Sequence, residues 1–133
     1  MDKILLIVED NQSIIDLYES AFKLNKYEVE KAMSGNEAIQ ILKGVAKKPD
    51  VILLDIMMSR MNGFELLKKI KADQELQRIP VVILTNLAQQ HDVDRGLELG
   101  AVLYLVKSQY DPQEIVDRVN SVFNRYDGNQ LKA

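Results

Sequence analysis

The hydrophobic positions of this chain fall into short apolar runs, separated by stretches in which apolar residues recur every three or four places. Ile4–Val8 is a β-branched run, and Ser13–Leu24 carries Ile14, Ile15, Leu17, Tyr18, Ala21 and Phe22 at helical spacing. Tyr27–Ala32 predicts a second strand, and its alternation with Glu28 and Glu30 suits a strand at a sheet edge. Ser34 and Glu37 have the spacing of a capping box and open a helix through Ala38, Ile39, Ile41 and Leu42. After Pro49, Val51–Leu54 predicts a third strand, followed by a helix over Phe64–Ile70 with Asn62 as its cap. Pro80 precedes a fourth strand, Val81–Leu84. A helix from about Ala88 to Leu99 stops at Gly100, and Val102–Val106 forms a fifth strand. Asp111-Pro112 then starts the last helix, an N-cap acid followed by proline in the first turn.

Strand and helix thus alternate five times, which calls for βα units and a parallel sheet covered on both faces. The predicted fold is α/β, a doubly wound, flavodoxin-like sheet in the order 2-1-3-4-5. One domain is expected over residues 1–126. Residues 127–133 are expected to form a flexible tail, because Gly128–Ala133 lacks periodicity. Ligands of such sheets bind beyond the carboxyl ends of the strands, where the winding reverses between the first and third.

Those strand ends are where the chemistry lies. The first strand ends in Glu9-Asp10, the third in Asp55, the fourth in Thr85-Asn86 and the fifth in Lys107-Ser108. Three carboxylates at one point repel one another unless a cation neutralises them. Oxygen ligands without nearby His or Cys suit a hard ion such as Mg2+. Thr85 and Lys107 would hold the oxygens of an anion on Asp55, and the pattern predicts an aspartyl phosphate. Each residue alone has a plainer use: a strand-end acid often caps a helix or forms a turn, and threonine simply favours strands. The chemical reading rests on four strands delivering complementary groups to one rim.

Composition removes several other classes. The 133 residues fit one domain, and 47% hydrophobic with 28% charged residues is the balance of a globular protein. The absence of cysteine excludes disulfides, thiolate zinc sites and cysteine nucleophiles. A net charge of −3 argues against a nucleic-acid partner. Lys68, Lys69 and Lys71 are expected to coat a solvated helix face. No stretch is long enough to span a bilayer, so no membrane contact and a cytoplasmic location are expected. His91 is expected at the surface, and Met33, Met57, Met58 and Met61 as core gap-fillers. A flavodoxin-like electron carrier is unlike this chain, since no phosphate loop follows the first strand and Glu9-Asp10 would repel a phosphate.

Together "ILLIVEDN", "VILLDIMMSRMNGFELLKKIK", "IPVVILTN" and "GAVLYLVKS" resemble the receiver domain of two-component response regulators, of the stand-alone type, from about Lys3 to Tyr126. The resemblance implies Asp55 as phosphoacceptor and Glu9, Asp10, Asp55 and the backbone carbonyl of Met57 as the Mg2+ site. It implies Thr85 as switch hydroxyl, Lys107 as phosphate-binding lysine and Tyr104 as switch aromatic. A sensor histidine kinase or phosphotransfer protein would be the donor. Enzymatic activity would extend at most to slow self-phosphorylation and self-dephosphorylation, since neither Met57 nor Leu87, at the positions that tune hydrolysis, can orient an attacking water.

The chain departs from the family pattern at Ser59, commonly proline, at Asn86, usually small, and at Ser108, commonly proline in a cis peptide. Ser108 predicts a trans bond after Lys107 and a locally altered loop. The changing face would be helix 4, strand 5 and helix 5. The winged-helix branch of the family dimerises through that face using an acid where this chain has Leu103, which leaves Arg118 unpaired. A monomer, or a dimer through a different contact, that binds a downstream protein target rather than DNA is therefore expected. The alternative is a small Mg2+-dependent phosphatase working through an aspartyl phosphate, but its second acid is missing, because Met57 stands there. A receiver-like scaffold that is never phosphorylated would not need the acid, threonine and lysine set. With no effector domain following, the chain would be either a stand-alone regulator or a receiver cut from a longer protein.

Overall fold

In the computed structural model, which describes residues 2–127 and the side chains as far as Asn124, one parallel sheet has the order β2-β1-β3-β4-β5. The strands are β1 (Lys3–Val8), β2 (Tyr27–Ala32), β3 (Val51–Leu54), β4 (Val81–Thr85) and β5 (Leu103–Val106). Between and after them run α1 (Gln12–Leu24), α2 (Gly35–Gly44), α3 (Gly63–Ala72), α4 (Gln90–Glu98) and α5 (Pro112–Asp127). The predicted order holds, and β2 lies at an edge with Glu28 and Glu30 exposed.

Successive strand residues point to opposite faces, so each strand feeds two cores. Leu6, Val8, Ile52, Leu54 and Ile83 pack on one side with Leu42 of α2 and Leu66, Leu67 and Ile70 of α3. Leu5, Ile7, Leu53, Val82 and Leu84 pack on the other with Ile15 and Phe22 of α1 and Ile115, Val116 and Val119 of α5. The central strands β3 and β4 are buried on both faces, which is why they are apolar at every position but the last of β4, Thr85.

Helix starts are fixed by side-chain acceptors that satisfy otherwise unpaired N–H groups. Asn11 Oδ1 accepts from Ile14 N–H at 3.0 Å and Asn62 Oδ1 from Glu65 N–H at 3.0 Å. Ser34 caps α2 as predicted, its Oγ accepting from Glu37 N–H at 3.1 Å, but Glu37 Oε1 reaches one residue past the N-cap to Met33 N–H at 3.2 Å instead of closing the capping box. Asp111 and Glu114 do close one at the start of α5, at 2.8 and 2.9 Å. α4 is the exception: no side chain caps it at Gln89, and it begins at Gln90 rather than Ala88.

Other expectations need correcting. Strand β5 starts at Leu103, not Val102, and Asp127 closes α5 instead of opening a tail. The flexible tail expected at 128–133 lies outside the described residues. Lys71 leaves the solvated face to donate to the carbonyls of Gln77 and Ile79, each at 2.9 Å, and burial lowers its pKa. Its extended stem lets it staple the end of α3 to the segment before β4. Met58 and Met61 do pack against the core, but Met33 and Met57 are exposed. No peptide bond is cis among the described residues, and Lys107–Gln109 forms a 3-10 turn. Gly100, at φ 113°, takes the left-handed backbone that ends α4. No helix among the described residues is long and apolar enough to cross a membrane.

Candidate functional site

The sheet register sets the site. Val8 pairs with Leu54 in the β1–β3 ladder, so the next residues, Glu9 and Asp55, emerge side by side. Thr85 pairs with Val106 at the end of the β4–β5 ladder, which places Lys107 just beyond it. Glu9, Asp55 and Thr85 are all buried. The Lys107 ammonium reaches past the end of β4 and donates to Glu9 Oε1 at 2.6 Å and to Asp55 Oδ2 at 3.0 Å.

Two carboxylates thus share one cation. Burial pushes the Glu9 carboxyl above its usual value against the pull of the Lys107 hydrogen bond, and the Asp55 charge adds to the rise. For Lys107 burial alone would lower the pKa, yet its bonds to Glu9 and Asp55 hold it above the ordinary lysine value. Glu9 Oε2 also accepts from Asn11 N–H at 3.1 Å, and Asp55 Oδ1 from Met57 N–H at 3.2 Å. Asp10, half-exposed, turns instead to Ser59 N–H at 3.1 Å. The expected convergence of three carboxylates is therefore met by two, and the cation between them is Lys107.

Among the described residues no three His, Cys, Asp or Glu side chains cluster as metal ligands. The donors that remain are the Asp10 carboxylate, Asp55 Oδ1 and the Met57 carbonyl. All are hard oxygens, and that donor chemistry fits Mg2+ and not a thiophilic metal. Asp10 and Met57 border an open groove of about 620 Å3, together with Ser59, Leu87, Asp92 and Arg95.

Thr85 Oγ1 accepts from Leu87 N–H at 3.3 Å, and the Tyr104 hydroxyl donates to the Leu87 carbonyl. Burial, then the charges of Asp92 and Asp55, push Tyr104 up to about 12. Asp92, buried in the first turn of α4, was not singled out in the sequence. Its position depends on where an uncapped helix begins, which no local signal gives. His91 is at the surface as expected, 3.3 Å from Asp92. Ser108 N–H donates to Asn86 Oδ1 at 3.1 Å, a contact between two loops that no spacing in the sequence announces.

Residues 5–120 match the response regulator receiver domain. The chain belongs to that family. Receiver domains are signalling switches of two-component systems, in which response regulators meet histidine kinases and downstream targets. Response regulator SaeR of Staphylococcus aureus (strain USA300) is 40% identical over 121 residues, covering 91% of this chain and 50% of the relative. The receiver domain thus spans half the length of that curated relative. The phosphorylated cyanobacterial phytochrome response regulator RcpA superposes with a TM-score of 0.80 at 29% identity, covering 97% of this chain and 96% of that one. The Mn2+-bound form of response regulator Rcp1 superposes with a TM-score of 0.77 at 29% identity, covering 93% and 94%.

Proposed function

We propose that this receiver domain is switched by phosphorylation of Asp55, with Mg2+ as cofactor and a sensor histidine kinase or phosphotransfer protein as donor. The observation that carries the reading is the buried Asp55 carboxylate held against the Lys107 ammonium, with the Thr85 hydroxyl on the same rim. The Asp55 carboxylate attacks phosphorus, a P–O bond forms, and the P–N bond to the donor imidazole breaks with its electron pair leaving on nitrogen. Bound Mg2+ would neutralise charge on the transferring phosphoryl oxygens. Asp10, Asp55 and the Met57 carbonyl would hold it, while Glu9 supplies negative charge from behind.

Lys107 then exchanges its bond to Asp55 for the phosphoryl oxygens, and Thr85 turns towards them. Thr85 gives up the Leu87 N–H as it turns, and Leu87 is the residue whose carbonyl holds Tyr104. A change at Asp55 is thereby passed to β5 and α4. A downstream protein that prefers the altered α4–β5–α5 face supplies the differential affinity a switch requires.

Acetyl phosphate with Mg2+, followed by intact-mass analysis, tests the reading. One phosphoryl adduct is expected, dependent on Mg2+ and absent from Asp55→Asn. An adduct of equal yield in that variant would overturn it.

A further inference from the structure

The β4–β5 ladder ends at the Thr85–Val106 pair, and beyond it the two loops have no further backbone rung between them. One side chain supplies the missing rung. Asn86 Oδ1 accepts from Ser108 N–H at 3.1 Å, the amide oxygen standing where a strand carbonyl would be. Both partners are required: a proline at 108 has no N–H to donate, and a glycine or alanine at 86 has no acceptor. Asn86 directly follows Thr85, and Ser108 directly follows Lys107. The bond therefore lies one residue from each of the two groups that flank Asp55. Few polar contacts restrain the first of these loops. Asn86, Ala88 and Gln89 are exposed and α4 lacks a side-chain cap; Leu87 packs its side chain against the core, and among the described residues its backbone bonds only to Thr85 and Tyr104.

We propose that Asn86 is a positioning residue. Its amide latches the β4–α4 loop to the Lys107–Gln109 turn and keeps the Thr85 hydroxyl and Lys107 ammonium in register for phosphoryl transfer to Asp55. The latch itself is independent of the phosphoacceptor reading, and its consequence for rate rests on that reading. Because the bond is exposed and competes with water, its effect falls on geometry more than on global stability.

Amide hydrogen exchange at Ser108, measured in the unphosphorylated protein, tests the latch. Phosphorylation by acetyl phosphate and Mg2+ affinity by calorimetry test its role. In Asn86→Ala the Ser108 amide exchanges faster, and the phosphorylation rate falls about threefold to tenfold, the range of one net hydrogen bond. Mg2+ affinity stays at the wild-type value, because neither Asn86 nor Ser108 hydrogen-bonds to Asp10, Asp55 or Met57. Ser108→Ala keeps the N–H and follows the wild type in exchange and rate. Ser108→Pro slows the reaction less in an Asn86→Ala background than in the wild type, because the latch is already gone.

Unchanged exchange in Asn86→Ala would show that the latch does not exist. Faster exchange with an unchanged phosphorylation rate would show that it positions nothing. A joint loss of rate and Mg2+ affinity would reduce Asn86 to a structural residue. A wild type that takes no phosphoryl group would overturn the phosphoacceptor reading and the latch's role with it, leaving the exchange arm to decide the bond alone.

Discussion

Lys107 is the residue on which the site's charge balance turns. Its side chain is 12% exposed, and the two carboxylates that it bridges are 5% and 6% exposed. Replacing it with methionine leaves two buried negative charges facing each other without a counter-ion. Lys107→Met should therefore lose about 3 kcal/mol of stability, the scale for a broken buried pair, in urea unfolding without metal. Glu9→Gln in that background should restore part of the loss, and millimolar Mg2+ should raise its melting temperature more than that of the wild type. Equal Mg2+ shifts in the two proteins would place the metal elsewhere. The strand-end positions of Glu9, Asp55 and Lys107 were legible from sequence because hydrophobic runs end sharply there. That Lys107 lies directly on both acids was not, since a four-carbon side chain takes its direction from the field it enters. Neither was Asp10 turning to Ser59 N–H, which depends on the path of the loop after β3.

Elements whose ends carry their own acceptors were legible to within a residue or two. Ser34, Asn62 and Asp111 cap their helices as the sequence predicts, and Asn11 does the same for α1. α4 has no such acceptor, and it starts at Gln90, two residues after the expected Ala88 and at the far end of that margin. Gly63 shows how closely an element can be tied to the chemistry. A Cβ there would meet the Asp55 carbonyl and lie 2.6 Å from Ile56 Cα, both backbone atoms that cannot swing aside. The start of α3 thus packs against the very loop that carries the candidate phosphoacceptor. Gly63→Ala should cost about 1–3 kcal/mol through overpacking and should slow acetyl phosphate uptake as Asp55 is displaced. Gly44, at the end of α2, has nothing within 4 Å of its added Cβ, so Gly44→Ala should leave both measurements near wild type. Equal behaviour of the two variants would show that the close approach at Gly63 is not what holds the loop.

At the scale of the whole molecule, the strand order followed from five alternations of period, but the contacts that tie distant helices together did not. Tyr27 on β2 packs edge-on against Phe22 of α1 at 5.0 Å, and its hydroxyl bonds Asn120 of α5. Burial, then the Asp50 charge, push its pKa from 10.0 to about 12. Between those pH values the unfolded chain loses a proton that the fold keeps, so stability should fall as pH rises through that window. Tyr27→Phe should flatten part of the fall in urea midpoints, although it lowers stability at neutral pH by removing the Asn120 bond. The α4–β5–α5 face carries the last consequence. Leu103 offers no carboxylate on it, and the Arg118 guanidinium lies 4.9 Å from the centre of the Tyr110 ring of its own chain. Arg118 is stacked on an aromatic ring of its own chain, and the opposing β5, Leu103–Val106, supplies no acid to draw it across a dimer. Exposed Leu97 on α4 suits an apolar contact with a different protein better than a charged, self-complementary one. The domain should therefore scatter light as a monomer both before and after beryllofluoride, a mimic of the phosphoryl group proposed for Asp55. A beryllofluoride-dependent dimer that Arg118→Ala abolishes would show that this face pairs with a second copy after all.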